Sequence, residues 1–199
     1  ETVYLQYPAT LNADAVFNIN NSWARSNTVT AKSDNRTPPS SSITVTLDKT
    51  WLVKSNTTHR DADTYASSID WSVYVNLGTT AASLDGMTLT DWFDTQDLPD
   101  ISGLDSVVVN MYQLPGGSVT QSTAAAADWG TPTTLTWAQF ASYAFGNTTN
   151  AYKFTYTTQV KDNDNLVQDS YNNNVKLENG TDPVGSTSST GNIGTNFVY

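Results

Sequence analysis

Ser42-Ile43-Thr44-Val45-Thr46-Leu47-Asp48-Lys49-Thr50-Trp51-Leu52-Val53 is the clearest strand in the chain, and its reading decides the fold. Its apolar residues Ile43, Val45, Leu47, Trp51 and Val53 fall on odd positions. A strand turns alternate side chains to opposite faces, so these five are expected to share one buried face. Lys49 has the same parity. A lysine on a core face is costly if it stays charged and unpaired, so it must be neutral, paired or chemically consumed. The plainer reading is that the strand frays or bulges at Lys49 and the amine reaches water.

The totals set the class. A chain of 199 residues can bury one good core, with extensions. A net charge of -10 argues against nucleic-acid binding and against docking on anionic lipid. Only 14% of residues are charged, while Ser, Thr and Asn abound beside six Trp and ten Tyr, the profile of an extracellular β-protein. With no cysteine there can be no disulfide, thiolate metal site or cysteine nucleophile. No apolar run is long enough for a spanning helix, and Glu1 is expected to begin a mature chain. Nothing in the sequence calls for a metal or a cofactor: the acidic run Lys161-Asp162-Asn163-Asp164-Asn165 lacks the glycine and distal glutamate of a helix–loop–helix calcium loop and reads as a solvated turn.

Outward from the lysine strand, residues 1–41 read as an extension with short strands at 3–7 and 15–19, ending in the Thr37-Pro38-Pro39-Ser40 linker. Residues 42–180 read as the main domain. Lys54 to Ser68 reads as a polar loop holding the single histidine, His59, to which no role is given. Ile69, Trp71, Val73, Val75 and Leu77 alternate cleanly, as do Met87, Leu89 and Phe93. A strand over 106–112, a helix from Trp137 capped by Thr136 and ended by Gly146, a strand over 152–160 and a strand over 170–178 follow. Residues 181–199 read as a Gly/Ser/Thr-rich extension with a last strand at 196–199.

Two further polar residues lie on core parities: Asp91, with Met87, Leu89 and Phe93, and Asn173, with Tyr171, Val175 and Leu177. Burial disfavours charge, lowering a lysine pKa and raising an aspartate pKa. A neutral amine is a nucleophile, and a protonated aspartic acid can polarise an amide carbonyl and shuttle protons. Lys49 and Asn173, held in contact with Asp91 assisting, would form an isopeptide bond once, on folding, with loss of ammonia. A buried Lys49–Asp91 ion pair with Asn173 hydrogen-bonded to it fits the same parities. Asn172 and Asn174 adjoin Asn173, and a one-residue bulge would change which asparagine faces inward.

The order of Leu47-Asp48-Lys49-Thr50, Ile69-Asp70-Trp71-Ser72-Val73-Tyr74-Val75-Asn76, Met87-Thr88-Leu89-Thr90-Asp91, Phe154-Thr155-Tyr156-Thr157-Thr158 and Tyr171-Asn172-Asn173 resembles the Cna A-type immunoglobulin-like domains of Gram-positive surface adhesins and pilins. The resemblance covers roughly residues 42–178. It implies a cross-link between Lys49 and Asn173, assisted by Asp91, in a module attached to the cell wall through a segment outside this chain. Tyr7-Pro8-Ala9-Thr10 is similar to the element that carries a pilin's polymerising lysine, but has no lysine.

The expected fold is therefore all-β, an immunoglobulin-like sandwich with one short inserted helix. The expected function is a structural or adhesive module of a bacterial surface, with neighbouring domains and a host matrix protein or glycan as partners. A carbohydrate- or matrix-protein-binding sandwich without a cross-link is the alternative, with Trp23, Trp92 and Trp129 as candidate contacts because the other tryptophans fall on core positions. A turnover enzyme is disfavoured: no nucleophile motif is visible, and no catalysis beyond the single cross-linking event is expected.

Overall fold

The clean alternation around Trp71 becomes the middle of the molecule. The computed structural model describes residues 21–30, 40–60, 67–98, 101–160 and 169–193. Strand β3 (Ser67–Gly78) lies between β2 (Ser40–Arg60) and β9 (Ala151–Val160), and its Ile69, Trp71, Val73 and Val75 are completely buried. β1 (Asn21–Thr30) flanks β2; β6 (Val108–Leu114), β7 (Thr133–Thr136) and the two-residue β5 (Ile101–Ser102) complete a seven-stranded sheet of order β1-β2-β3-β9-β6-β7, with β5 also on β9. The second sheet has four strands in the order β11-β10-β4-β8: β4 (Met87–Phe93), β8 (Ser142–Ala144), β10 (Asp169–Asn179) and β11 (Asp182–Ile193). All the pairings are antiparallel.

The sheets pack face to face over one apolar core. Trp71, Val73, Val109, Phe154 and Tyr156 come from the larger sheet; Leu89, Phe93, Val175 and Leu177 come from the smaller. Trp71 meets the Phe93 ring edge-on at 5.6 Å between centroids, which ties the layers together. A smaller cluster lies on the other side of the larger sheet, where Val119, Ala124 and Trp129 pack with Leu77 and Ala151. The fold is an all-β sandwich of two antiparallel sheets, with one short α-helix among the described residues.

Several local expectations need correction. The inward helix is only α1 (Trp137–Phe140); Thr136 and Gln139 close a capping box, but the chain leaves the helix at Ala141, not Gly146, because Ser142–Ala144 pairs with β4. Residues 54–60 are not loop: they continue β2, satisfying their backbone groups against β3. Ile43 is 66% exposed, since the first residues of β2 pair with β1 rather than lying over the core. The Ser/Thr-rich segment after Gly180 forms β11 along β10. The strands expected at 3–7, 15–19 and 196–199, the Pro38–Pro39 linker and the acidic 161–165 turn lie outside the described residues.

The inward parity of β2 also changes partway along. Leu47, Lys49 and Trp51 are buried, but the next buried residue is Lys54, and Val53 turns toward the smaller cluster. The change lies opposite Asn76 of β3, whose φ of 65° puts it in the left-handed region that asparagine tolerates. Val75, Asn76, Leu77 and Gly78 are buried in succession, so strict alternation fails on both strands at this point. Gly78 closes the irregular step at φ 144°, and a Cβ there would stand 2.1 Å from the Asp48 carbonyl oxygen. Gly78→Ala is expected to destabilise the fold by about 2–4 kcal/mol, read as a lower urea midpoint with an unchanged slope.

Candidate functional site

Four strands from the two sheets meet at one buried polar cluster. Lys54 of β2, Asp91 of β4, Tyr156 of β9 and Asn173 of β10 project into the core, where each is at most 7% exposed. Lys54 Nζ donates to Asp91 Oδ2, and to the Tyr156 hydroxyl at 2.9 Å. The Tyr156 hydroxyl donates to Asp91 Oδ1 and Oδ2 at 3.1 and 3.2 Å. Asn173 Nδ2 donates to the same hydroxyl at 2.6 Å. The carbonyl oxygen of Asn173 is buried without a hydrogen-bond partner among the described residues. An orphaned acceptor of this kind costs about 1–3 kcal/mol in a folded core.

Aromatic rings seal the cluster. Lys54 Nζ lies 5.5 Å from the Trp71 ring centre and 5.4 Å from that of Tyr156. Tyr156 packs on Trp137 and Phe140 of α1 at 5.3 and 5.2 Å, so the helix acts as a lid of side chains over the site. In this dry setting burial lowers the Lys54 pKa, although the Asp91 charge opposes the shift. Burial raises the Asp91 pKa against the opposing effects of Lys54, Tyr156 and Asn173. Both shifts favour the uncharged pair, an amine beside a carboxylic acid. Burial, and then the Asp91 charge, push the Tyr156 hydroxyl well above its ordinary range.

Of the three polar residues expected together, the structure joins Asp91 and Asn173 and places Lys49 elsewhere. The reason is the parity change at Trp51 and Asn76: it carries Lys49 out of register with Asp91 and brings Lys54 in. Lys49 is fully buried, donates to Asn76 Oδ1 and sits 4.3 Å over the Trp51 ring. Asn76 Nδ2 in turn donates to the carbonyls of Ala82, Thr149 and Asn150 at 2.9, 3.1 and 2.9 Å. Lys49 has no ion-pair partner among the described residues, and burial pushes its pKa down to about 7. It therefore has an amide neighbour and, among the described residues, no acid beside it.

The choice among the three adjacent asparagines is explained by their neighbours. Asn172 and Asn174 turn outward, where their Nδ2 groups donate to the two Asp94 carboxylate oxygens at 3.0 and 2.7 Å. Asn173 between them faces in. Sequence reading missed Lys54, assigned to a loop, and the role of Tyr156, although Tyr156 does share a buried parity with Phe154 and Thr158. Continuation of the strand through the β-prone Thr57-Thr58 pair was the available signal for Lys54.

The tryptophan candidates separate. Trp129 is buried, with its indole nitrogen donating to the Ala124 carbonyl at 2.8 Å, so it offers no contact surface. Trp92 is 40% exposed on the outer side of the smaller sheet. Trp23 lies opposite Leu47 in the β1–β2 register, and its side chain falls outside what the structure describes. A groove of about 620 Å³ opens on the larger sheet, lined by groups including Thr57, Asp70, Ser72, Asn110, Thr155 and Thr157. On its flank, exposed His59 pairs with Asp70 at 2.8 Å. No helix among the described residues is long and apolar enough to cross a membrane, and no cluster of metal-ligating side chains occurs among them.

No protein-family model matches the sequence, and no curated protein does. Solved structures to which the chain is similar include the collagen-binding domain from a Staphylococcus aureus adhesin, 13% identical with a TM-score of 0.34, covering 73% of this chain and 96% of that one. The collagen-binding domain of the Erysipelothrix rhusiopathiae surface protein RspB is 10% identical with a TM-score of 0.32, covering 86% of this chain and 57% of that one. These neighbours belong to Gram-positive adhesins. The major pilin subunit BcpA of Bacillus cereus is also similar, at 9% identity and a TM-score of 0.34, covering 83% of this chain and 46% of that one. The chain thus spans about half the length of the RspB and BcpA structures.

Proposed function

We propose that this chain is a structural and adhesive module of a bacterial cell surface, closed by a self-formed isopeptide bond between Lys54 and Asn173. The observation that supports this reading is the buried Lys54–Asp91–Tyr156–Asn173 cluster, in which the asparagine carbonyl has no partner. An amine, an acid and a primary amide are shut together away from water, which makes their encounter intramolecular.

The neutral Lys54 amine attacks Cγ of Asn173, and the new Nζ–Cγ bond gives a tetrahedral intermediate. Protonated Asp91 supplies the hydrogen bond that the Asn173 oxygen lacks and stabilises the charge developing there. Collapse breaks the Cγ–Nδ2 bond. One proton leaves Nζ and one reaches Nδ2, so the products are a secondary amide and ammonia. The carboxyl ends as it began, and the reaction occurs once per chain. Lys49 takes no part, for want of an acid.

The bond would join β2 of one sheet to β10 of the other. Residues 42–180 form the cross-linked unit in this reading, with 1–41 and 181–199 as additions, β1 and β11 among them. Neighbouring domains of a surface protein would be its covalent partners, and a matrix protein or glycan its ligand. The polar groove and exposed Trp92 also support a binding role, which is compatible with the cross-link. The intact mass of the purified chain tests the central claim. It is expected to fall short by one ammonia, about 17 Da, with the deficit mapped by proteolysis to a branched Lys54–Asn173 peptide. A chain of full mass rules the bond out and leaves the groove-based binding module as the surviving reading.

A further inference from the structure

The Tyr156 hydroxyl touches both nitrogens that must exchange a proton. It lies 2.9 Å from Lys54 Nζ, which loses one, and 2.6 Å from Asn173 Nδ2, which gains one. Asp91 is 3.1 Å away and receives its hydrogen bond. We propose that Tyr156 is a catalytic residue of the cross-linking step, relaying the proton from the attacking lysine amine to the departing asparagine nitrogen. This inference rests on the Lys54–Asn173 reading above.

The geometry separates two tasks that one carboxyl would otherwise share. In the resting site the phenolic oxygen accepts from both nitrogens and donates to Asp91. When Nζ bonds to Cγ, the Asn173 nitrogen loses amide conjugation and gains a basic lone pair facing the hydroxyl. The phenol proton then swings from Asp91 to Nδ2, and the phenolic oxygen takes the proton shed by Nζ. The phenol is regenerated, Asp91 stays free to serve the carbonyl oxygen, and ammonia leaves. The ring is held for this task by Trp137 and Phe140, so the hydroxyl has little freedom to turn away. One hydroxyl thus bonds both the attacking and the departing nitrogen.

The test follows intact mass with time in freshly purified chains of native, Tyr156→Phe and Phe145→Leu sequence, each checked for a native near-ultraviolet circular dichroism spectrum. The native chain and Phe145→Leu, which loosens the same core where Phe145 packs on Tyr152 and Phe154 and leaves the Tyr156 ring and its hydroxyl in place, are expected to be fully linked at the first reading. Tyr156→Phe is expected to be mostly unlinked then, and to convert at least about 10²-fold more slowly. A second measurement places a fluorinated tyrosine at position 156, which keeps ring and hydroxyl but changes its acidity, and should change the rate of conversion. Linkage of Tyr156→Phe as fast as native, an equal slowing in Phe145→Leu, or a rate indifferent to the fluorinated residue each overturns the relay while leaving the bond standing. A native chain of full mass overturns the bond itself, and the relay with it.

Discussion

Lys54→Met is expected to give a chain of full calculated mass, whereas Lys49→Met is expected to lose one ammonia, as the proposed bond requires of the native chain. The two lysines are five residues apart on β2, both are buried and each meets a buried asparagine, but among the described residues Lys54 is the one with a carboxylate beside it. Loss of the bond releases a loop of about 120 residues in the unfolded chain, worth about 5 kcal/mol on chain-entropy grounds. For a domain of this size that is a fall in Tm of about 10–20 °C. Asp91→Ala is expected to behave similarly, with a further cost from a buried lysine left without its partner. Calorimetry with intact-mass analysis checks both effects. A deficit that persists in Lys54→Met and disappears in Lys49→Met would return the cross-link to the odd-numbered lysine and overturn the assignment.

The second large effect is a pH dependence centred on Lys49. Its folded pKa of about 7 lies below the ordinary 10.5 because burial penalises the ammonium. Between those values the unfolded chain holds a proton that the folded chain lacks, so protonation favours unfolding. Stability therefore rises as pH is taken from 7 to 10.5, by at most about 1.4 kcal/mol per pH unit. Below pH 7 both states are protonated and the penalty is complete. Lys49→Met removes this dependence, while the Asn76 oxygen it leaves unpaired adds a cost that does not vary with pH. The difference in urea midpoint between the native chain and Lys49→Met, measured across that window, is expected to slope. A flat difference shows that Lys49 titrates alike in both states.

How far the sequence could be read depended on whether a strand kept its pleat. β4 and β10 alternate without interruption near the site, so Asp91 and Asn173 could be placed on core faces from position alone. β2 has one irregular step, and every inference carried across it shifted by one face. That step depends on Asn76 of the neighbouring strand, a residue 22 positions beyond Lys54 whose left-handed backbone has no local signature. Ile43 misled for a related reason, since its alternation is real but its strand runs past the core. Tyr156 was legible as an inward ring, yet its meeting with Lys54 and Asn173 is a fact of how two sheets face each other. Helix α1 was shortened by a competitor that sequence spacing does not reveal, the open edge of β4.

Most of the β10–β11 hairpin follows Asn173 in the chain. In a chain linked at Lys54 and Asn173, tension applied at the two ends passes through the bond and bypasses residues 55–172. What can lengthen on the C-terminal side while Val175 and Leu177 stay in the core is then β11, residues 182–193, which separates from β10 one hydrogen-bonded pair at a time from the open end. Its 12 residues drawn out at about 3.4 Å each give about 40 Å of travel. The Ser/Thr-rich β11 would thus serve as a short recoiling tether: it can peel away under a tug and re-form when the tug ends, while the sandwich that presents the groove keeps its shape.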